Sequence, residues 1–484
     1  MKRELLMESL LGETRLAVIE DGRLCELFVE RPGAEAVAGS VCLGRVENVV
    51  PGMNAAFVDI GQAKNGFLSA GDIPTALPGA PRIEALVKPG QSLLVQVMKA
   101  QSGQKGHRLS GRITLPGRLL ALMPQERCVG VSHRIDDPAE RERLQGIGQA
   151  LLGEARPGLI LRTAAAGAEA ADIGAEYRRL AADWSAIQDR AAHATAPAKL
   201  YDNDSLLLRC ARDMLDGDTE AVWADGQALY EALRGCAATF SPALADRVRL
   251  FDGDTPLFDL NRVDRQLDRA LGRYVWLDSG GSLVIDETEA MTVIDVNTGK
   301  FTGKRDVEET LFRINCEAAA EVIRQLRLRD IGGIVIVDFI DMKDASNNDR
   351  LLERLKTLTK ADRNRLTVVG MTGLGLVELT RKRQRKSLSR QLLHTCTACG
   401  GSGLAPSHET TARRAARELW RRRRGGDHSP LLVEATEKAA GWMQTIGAPE
   451  GGRAYVAARE MPPGEYAISP ADESRLPQGA KLLK

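Results

Sequence analysis

Apolar and polar residues alternate with period two in short windows near the N-terminus, the spacing of half-buried strands. Arg15-Leu16-Ala17-Val18-Ile19 and Leu27-Phe28-Val29 are two such runs, and Glu20-Asp21-Gly22 between them predicts a hairpin turn. Pro32-Gly33 then breaks the pattern. From 40 to 72 the runs VCLGRVENVV, AAFVDIG and NGFLSAGDI are separated by Gly and Pro. Short strands with glycine at the corners predict a small antiparallel barrel. Residues 137–153 and 168–193 carry Ala, Leu, Glu and Arg at helical spacing, and Leu159-Ile160-Leu161-Arg162-Thr163 between them predicts a strand. The segment 200–246 mixes short strands and helices and carries no chemical motif.

The most informative stretch runs from 275 to 342. Gly281–Asp286 and Met291–Asn297 predict two strands around a short turn. Asp306 is placed to cap a helix whose apolar positions Val307, Leu311, Ile314, Ala318, Val322 and Leu326 keep steps of three and four. Gly332-Gly333 ends that helix, and Ile334–Asp341 predicts a buried strand. The result is a strand–helix–strand unit with acidic residues at the strand ends. Beyond 376 come a basic run at 381–386, a cysteine pair, and the run Arg421–Arg424. The last sixty or so residues, rich in Gly and Pro, predict a small terminal domain or a loosely held tail, and no internal repeat is present.

A chain of 484 residues is long enough for several cores. Its 43% apolar and 27% charged residues are ordinary for a soluble globular protein. No apolar run reaches the roughly 18 residues that span a bilayer, and Lys2, Arg3, Glu4 and Glu8 argue against a secretory signal, so a cytoplasmic location without membrane attachment is expected. The net charge of +1 does not exclude nucleic acid, because a cleft can be basic while the opposite surface is acidic. Cys25, Cys42, Cys128, Cys210, Cys236 and Cys316 stand singly, as buried small hydrophobes of a reducing compartment do.

Asp295 and Asp338 are the central candidates for chemistry, each at the end of an apolar strand. Carboxylates on adjacent strand ends make a hard-oxygen site for Mg²⁺ or Mn²⁺, which can orient a phosphodiester and activate water. Asn297 shares a strand face with Asp295, and Asp341 is a possible auxiliary. The alternative is that these aspartates merely cap turns, as Asp286 in a similar setting warns. Residues 40–72 resemble part of an S1-type barrel that binds single-stranded RNA, with Phe57 and Phe67 as stacking surfaces and Arg45, Lys64 and Lys105 as phosphate contacts; otherwise the two rings are core. Arg162-Thr163 at a strand end can grip a terminal phosphate. Cys396-Thr-Ala-Cys399 is half of a zinc knuckle; a tetrahedral site needs four ligands, so His394 or a second subunit would supply the rest. A redox dithiol or two unligated thiols are the alternatives. The basic runs near 381 and 421 are solvated faces or phosphate-contacting patches.

Together these stretches resemble the ribonuclease E/G family over residues 1 to about 405, most specifically in TVIDVNTGKFTGKRDVEETLFRINCEAAAEVIRQLRLRDIGGIVIVDFIDM at 292–342. The resemblance implies an α/β multidomain chain: an RNase H-like subdomain in two parts (1–35 and 208–270), with an inserted S1 RNA-binding domain of OB-barrel type (36–111) and a 5′-sensor region (112–207). A DNase I-like catalytic subdomain (271–393), a zinc-link (394–406) and a small C-terminal domain (407–484) follow. It implies Mg²⁺ ligands at Asp295 and Asp338 and a catalytic Asn297. It assigns RNA contacts to Phe57, Phe67, Lys105 and Arg365, and a 5′-monophosphate pocket to Gly117, Arg162 and Thr163. Cys396 and Cys399 would hold a Zn²⁺ shared by two protomers. The implied activity is hydrolysis of single-stranded RNA to 5′-phosphate and 3′-hydroxyl ends, in maturation of rRNA precursors and mRNA decay. A homodimer, or a dimer of dimers, is implied as well. The long disordered segment of larger members is missing, so no degradosome scaffold is expected, and Ala121 stands where the family tends to place a larger apolar residue. A non-catalytic RNA-binding protein and a metal-dependent DNA nuclease are the rival functions.

Overall fold

The computed structural model describes residues 2–31, 38–75, 79, 81–99, 106–152, 157–202, 205–299, 307–383 and 385–484. The chain forms two compact units, Met1–Leu388 and Ser389–Lys484.

Three antiparallel strands open the first unit: β1 (Arg3–Leu10), β2 (Glu13–Glu20) and β3 (Arg23–Glu30). Alternation alone predicts only the last two. In β1 the consecutive Leu5, Leu6 and Met7 are all buried, and a strand covered on both faces has no period-two signature. The turn between β2 and β3 has φ of 48° at Asp21 and 79° at Gly22, the left-handed pair that a two-residue hairpin requires.

Strands β4 (Val41–Val50), β5 (Ala55–Asp59), β6 (Gly66–Ser69), β7 (Ser92–Lys99) and β8 (Arg108–Ser110) follow. They pair in the order β4-β5-β6-β8-β7, and β7 pairs back onto β4, so the five strands form a closed barrel. Cys42, Val46, Ala56, Val58, Leu68, Val95 and Leu109 fill it. The barrel expected from 40–72 thus takes its last two strands from further along the chain.

Next come β9 (Leu115–Pro116), β10 (Leu120–Met123), β11 (Val129–Val131), helix α1 (Pro138–Leu152), β12 (Gly158–Leu161) and helix α2 (Ala170–His193). The strands form a sheet in the order β11-β12-β10-β9. Its core joins Leu122, Leu159 and Leu161 to Leu144 of α1 and Ile173, Tyr177 and Leu180 of α2. Strand β13 (Ala198–Tyr201) adds to β4 of the barrel. The chain then rejoins the first sheet through β14 (Thr219–Asp225), parallel to β1, and, after helix α3 (Gln227–Phe240), β15 (Val248–Phe251), parallel to β14. That sheet has the order β15-β14-β1-β2-β3, so everything from β4 to β13 lies in sequence between strands of one sheet.

Helix α4 (Val263–Leu271) leads to the last part of the unit: β16 (Tyr274–Trp276), β17 (Ser282–Glu287), β18 (Met291–Asn297), helix α5 (Val307–Leu328), β19 (Gly333–Asp338), helix α6 (Ala345–Thr359), β20 (Leu366–Met371) and β21 (Val377–Arg381). Strand order is β16-β17-β18-β19-β21-β20. Only β18 and β19 run parallel, as a crossover through a helix demands. Leu283, Ile294, Val296, Val335 and Val337 pack under Ile314, Ala318 and Val322 of α5 and Leu351 and Leu355 of α6. The opposite face of this sheet is open, with Val293 and Ile334 exposed. The buried strand expected over 334–341 therefore needs correction. It ends at Asp338, and its continuous apolar run reflects Ile334 and Ile336 on the open face rather than burial on both. The expected cap Asp306 lies outside the described residues. Arg327 of α5 donates to Glu20 of β2 and Glu26 of β3 at 2.7–3.1 Å, tying the crossover helix to the first sheet.

The second unit holds helix α7 (His408–Arg424), β22 (Leu431–Ala435), helix α8 (Glu437–Ile446), β23 (Ala454–Ala458), β24 (Tyr466–Pro470) and β25 (Lys481–Leu482). The strand order is β24-β22-β23-β25, and Ala412, Ala415, Leu419, Val433, Met443 and Val456 form the core. These residues make a folded layer of helices on a sheet, not a loose tail; strands of five residues or fewer are too short to carry strong periodicity. Among the single cysteines, Cys25, Cys42 and Cys210 are buried as expected, but Cys128 is exposed. No helix among the described residues is long and apolar enough to cross a membrane.

Candidate active site

The crossover through α5 sets β18 beside β19 in a register that pairs Asp295 with Asp338. Neighbouring strands lie about 4.8 Å apart, so two carboxylates share one spot on the open face, and both residues are exposed. Asn297, two residues along the same face, donates its Nδ2 hydrogen to Asp295 Oδ2 at 2.8 Å. The Asp338 carboxyl is held above the ordinary carboxylate range, first by desolvation and then by the negative charges of Asp295 and Asp341. Among the described residues no hydrogen bond from a backbone N–H holds the Asp338 carboxyl, which removes the usual reason for a strand-end aspartate. Asp286 differs: Arg273 grips it with two hydrogen bonds of 2.6 and 2.7 Å, and its carboxyl is pushed down by that contact.

Among the described residues no cationic side chain forms an ion pair with Asp295 or Asp338, and such a concentration of like charge suits a divalent ion. Among the described residues no group of three or more His, Cys, Asp or Glu forms a ready-made cage. Two carboxylates fit Mg²⁺, which keeps several waters and uses substrate phosphate as a further ligand. Sequence reasoning missed two neighbours on this face. Register places Tyr274 in a row with Val284 and Asp295, and Trp276 in a row with Ser282 and Asn297. Their side chains are 55% and 73% exposed, and the alternation Tyr274-Val275-Trp276 was the available signal.

On the barrel, Phe57 and Phe67 are cross-strand partners with ring centroids 6.0 Å apart at 71°. Their chain neighbours Ala56, Val58 and Leu68 fill the core, so the two half-buried rings sit on the outer surface. Arg45, expected to meet phosphate, instead donates to the carbonyl of Ala196, because β13 and the residues before it pack beside β4. Lys64 is exposed, and Lys105 lies outside the described residues.

At the end of β12, Arg162 donates to the carbonyl of Gly117 and to Asp213, the latter at 3.0 Å. Thr163 Oγ1 lies 3.1 Å from Ser132 Oγ. Glycine is required at 117: a Cβ there would stand 2.6 Å from the Glu176 carboxylate, which accepts the N–H groups of Arg118, Leu119 and Leu120 at 2.6–3.1 Å. Arg162, Thr163 and Arg365 line one cleft of about 1080 Å³, together with Arg134, Arg209 and Arg363. The last three arginines carried no local signal, being scattered singly along the chain. Arg365 reaches the cleft from a left-handed backbone position with φ of 53°.

In the second unit, Cys399 is half-buried. Its thiol is pushed below the usual range by backbone N–H groups, that of Gly403 first and Gly401 next, with Cys396 contributing. Gly400, Gly401 and Gly403 have φ of 58°, 89° and 71°, a left-handed path that curls the backbone around the sulfur. Such a loop stabilises thiolate, the form that binds zinc. The structure brings no third His or Cys ligand to the pair among the described residues.

Barrel, mixed sheets and carboxylate pair define an α/β multidomain protein with a candidate divalent-cation site. Residues 114–384 match the Ribonuclease E/G family. The chain is 40% identical over 450 residues to ribonuclease G of Escherichia coli (strain K12), covering 91% of this chain and 92% of that one. It is 39% identical over 428 residues to ribonuclease G of Haemophilus influenzae, covering 86% and 87%. Ribonuclease E of Escherichia coli (strain K12) is 35% identical over 419 residues, covering 85% of this chain and 39% of that protein. The chain belongs to the ribonuclease E/G family.

Proposed function

We propose that this protein is a Mg²⁺-dependent endoribonuclease of the ribonuclease G type, cutting single-stranded RNA to 5′-phosphate and 3′-hydroxyl ends in the cytoplasm. Its work would be 5′-end maturation of rRNA precursors and mRNA decay. The observation that carries the proposal is the pairing of Asp295 with Asp338 on an open sheet face, with Asn297 bonded to the first. Bound there, Mg²⁺ would supply Lewis acidity at the phosphodiester oxygens and a lowered pKa for the attacking water. Asn297 fixes the Asp295 carboxylate by its hydrogen bond, so that its second oxygen faces a ligand. Tyr274 and Trp276 offer flat surfaces beside the pair for unstacked bases. Arg162, Thr163 and Arg365 in the basic cleft suit a terminal phosphate through charge-assisted hydrogen bonds.

Subdomain assignments follow the same reading. The first sheet, interrupted between β3 and β14, supports an RNase H-like subdomain holding the S1 barrel and the sensor region as insertions. The six-stranded sheet supports the DNase I-like catalytic subdomain. Truncating one stacking ring should weaken RNA binding by about 1–3 kcal/mol. Phe57→Ala is therefore expected to raise the dissociation constant for an unstructured RNA oligomer at least fivefold without lowering the melting temperature, because the ring lies outside the barrel core. Unchanged affinity would return Phe57 to a purely structural role.

Two thiolates from each of two protomers complete a tetrahedral Zn²⁺ site, so the protein is proposed to be a homodimer clamped at Cys396 and Cys399. Cys396→Ser, or a strong chelator, should shift the protein from dimer to monomer in a sizing experiment; a dimer that survives both refutes the clamp. The function itself is tested with matched single-stranded RNA and DNA oligomers carrying a 5′-monophosphate. RNA cleavage that requires Mg²⁺ and spares DNA is expected. Equal cutting of DNA would establish the DNA nuclease, and binding without cutting would establish the RNA-binding protein.

A further inference from the structure

The run Arg421–Arg424 belongs to a larger feature that the proposed activity does not use. Helix α7 carries seven arginines against Glu409 and Glu418. Ala412, Ala415, Leu419 and Arg423 face the core of the second unit and are buried. Arg423 is structural, since its guanidinium donates to the carbonyls of Asp427, Ser429 and Arg453 at 2.7–2.8 Å. The remaining basic positions behave differently. Arg413, Arg414, Arg417, Trp420, Arg421 and Arg424 are all exposed. At about 100° per residue they fall within an arc of roughly 120° on the side opposite the core. Along the axis they extend for about 17 Å.

Favourable charge at a helix C-terminus explains part of this run, since cations in the last turn answer the helix dipole. It does not explain Arg413, Arg414 and Arg417, which lie in earlier turns, nor an exposed indole among them. Trp420 is 50% exposed, and the Arg424 guanidinium lies 4.7 Å from its ring centroid. Arg413 pairs with Glu409, whereas Arg414, Arg417 and Arg421 form no ion pair among the described residues. A row of guanidinium forks around one exposed aromatic combines the two contacts single-stranded nucleic acid takes. Phosphates accept from arginine, and a base stacks on the indole.

We propose that this face of α7 is a second RNA-binding surface, which holds unpaired segments of long substrates without base specificity. The inference rests on RNA being the substrate, but it makes its own prediction for binding. The full-length protein with Arg417→Ser, Arg421→Ser and Arg424→Ser, and separately with Trp420→Ala, is titrated with a long unstructured RNA at several salt concentrations. The same variants are assayed for cleavage of a short oligomer.

The triple variant should bind long RNA about tenfold more weakly and lose about 2 from the slope of log affinity against log salt, as three freed phosphate contacts require. Trp420→Ala should weaken binding by about tenfold and leave the salt slope unchanged, and both variants should cut the short oligomer at the parent rate. Long-RNA affinity and salt slope that stay at parent values in both variants overturn the proposal. So does a triple variant whose only change is its subunit association, or its loss of binding to phosphatidylserine vesicles. A parent protein that binds long RNA through this face yet cuts no oligomer would refute the nuclease function and leave the surface standing.

Discussion

Asp338→Asn should abolish RNA cleavage, by about a thousandfold or more, in a protein that folds and melts like its parent. The two halves of this expectation come from different features of the same residue. Asp338 is exposed and has no capping bond to lose among the described residues, so the amide is accommodated with a change within about 0.5 kcal/mol. Its carboxylate stands in the field of Asp295 and Asp341, so removing one charge relieves repulsion and moves any stability change in the favourable direction. For chemistry the same change is severe, because a neutral amide is a poor ligand for a hard cation. Initial rates at saturating Mg²⁺ and a thermal melt of the same sample check both. A variant that cuts RNA at the parent rate would dismiss the carboxylate pair as the metal site, and one that fails to fold would make Asp338 a structural residue after all.

The parts of this site that were legible in the sequence are those governed by local period. Helix α5 keeps its three-and-four spacing from its second turn onward, since Ile314, Ala318, Val322 and Leu326 all enter the core, whereas Val307 at its start is exposed and Phe312 is buried in place of Leu311. Two apolar strands separated by such a helix must lie parallel, and that geometry alone brings Asp295 towards Asp338. What was not legible depends on long-range covering. A continuous apolar run reads as a strand buried on both faces. In β1 that is its real setting, while in β19 one face stays open and carries Ile334. No local pattern separates the two cases. The arginine cleft is another product of topology. Arg134, Arg162, Arg209 and Arg363 stand far apart in sequence yet line one cleft, where Arg134 donates to the Arg363 carbonyl and Arg363 to the Asp213 carbonyl and the Asp216 carboxylate. Asp286 and Asp338 looked alike as residues, and only the arrival of Arg273 across β16 and β17 tells them apart.

Arg381→Ala should cost about 3–5 kcal/mol of stability, the largest loss expected from any single change around the cleft. The Arg381 guanidinium donates to Asp362 at 2.7 Å, to Asp330 at 2.8 Å and to the Ile331 carbonyl at 2.9 Å. Side-chain exposure is 2% for Arg381 and Asp362 and 5% for Asp330. Burial works against the charged guanidinium, yet the hydrogen bonds and charges of the two aspartates outweigh it, so Arg381 holds its proton more tightly than usual. Truncation removes the cation and leaves two carboxylates with too few partners. Among the described residues, Asp330 would keep Arg385 at 3.0 Å and the Asn364 side chain at 3.5 Å, and Asp362 would keep the backbone N–H of Asn364 at 2.7 Å. The damage extends to the cleft, because Asp362 anchors the turn that presents Arg363 and Arg365. Arg381→Lys should lose less, about 1–3 kcal/mol, since an ammonium keeps the charge but cannot span both carboxylates with a planar fork. Urea unfolding of parent, Lys and Ala proteins should therefore rank them in that order. An Ala variant as stable as the parent would mean that water enters the site and solvates the two aspartates, and the turn carrying Arg365 would then owe its position to packing alone.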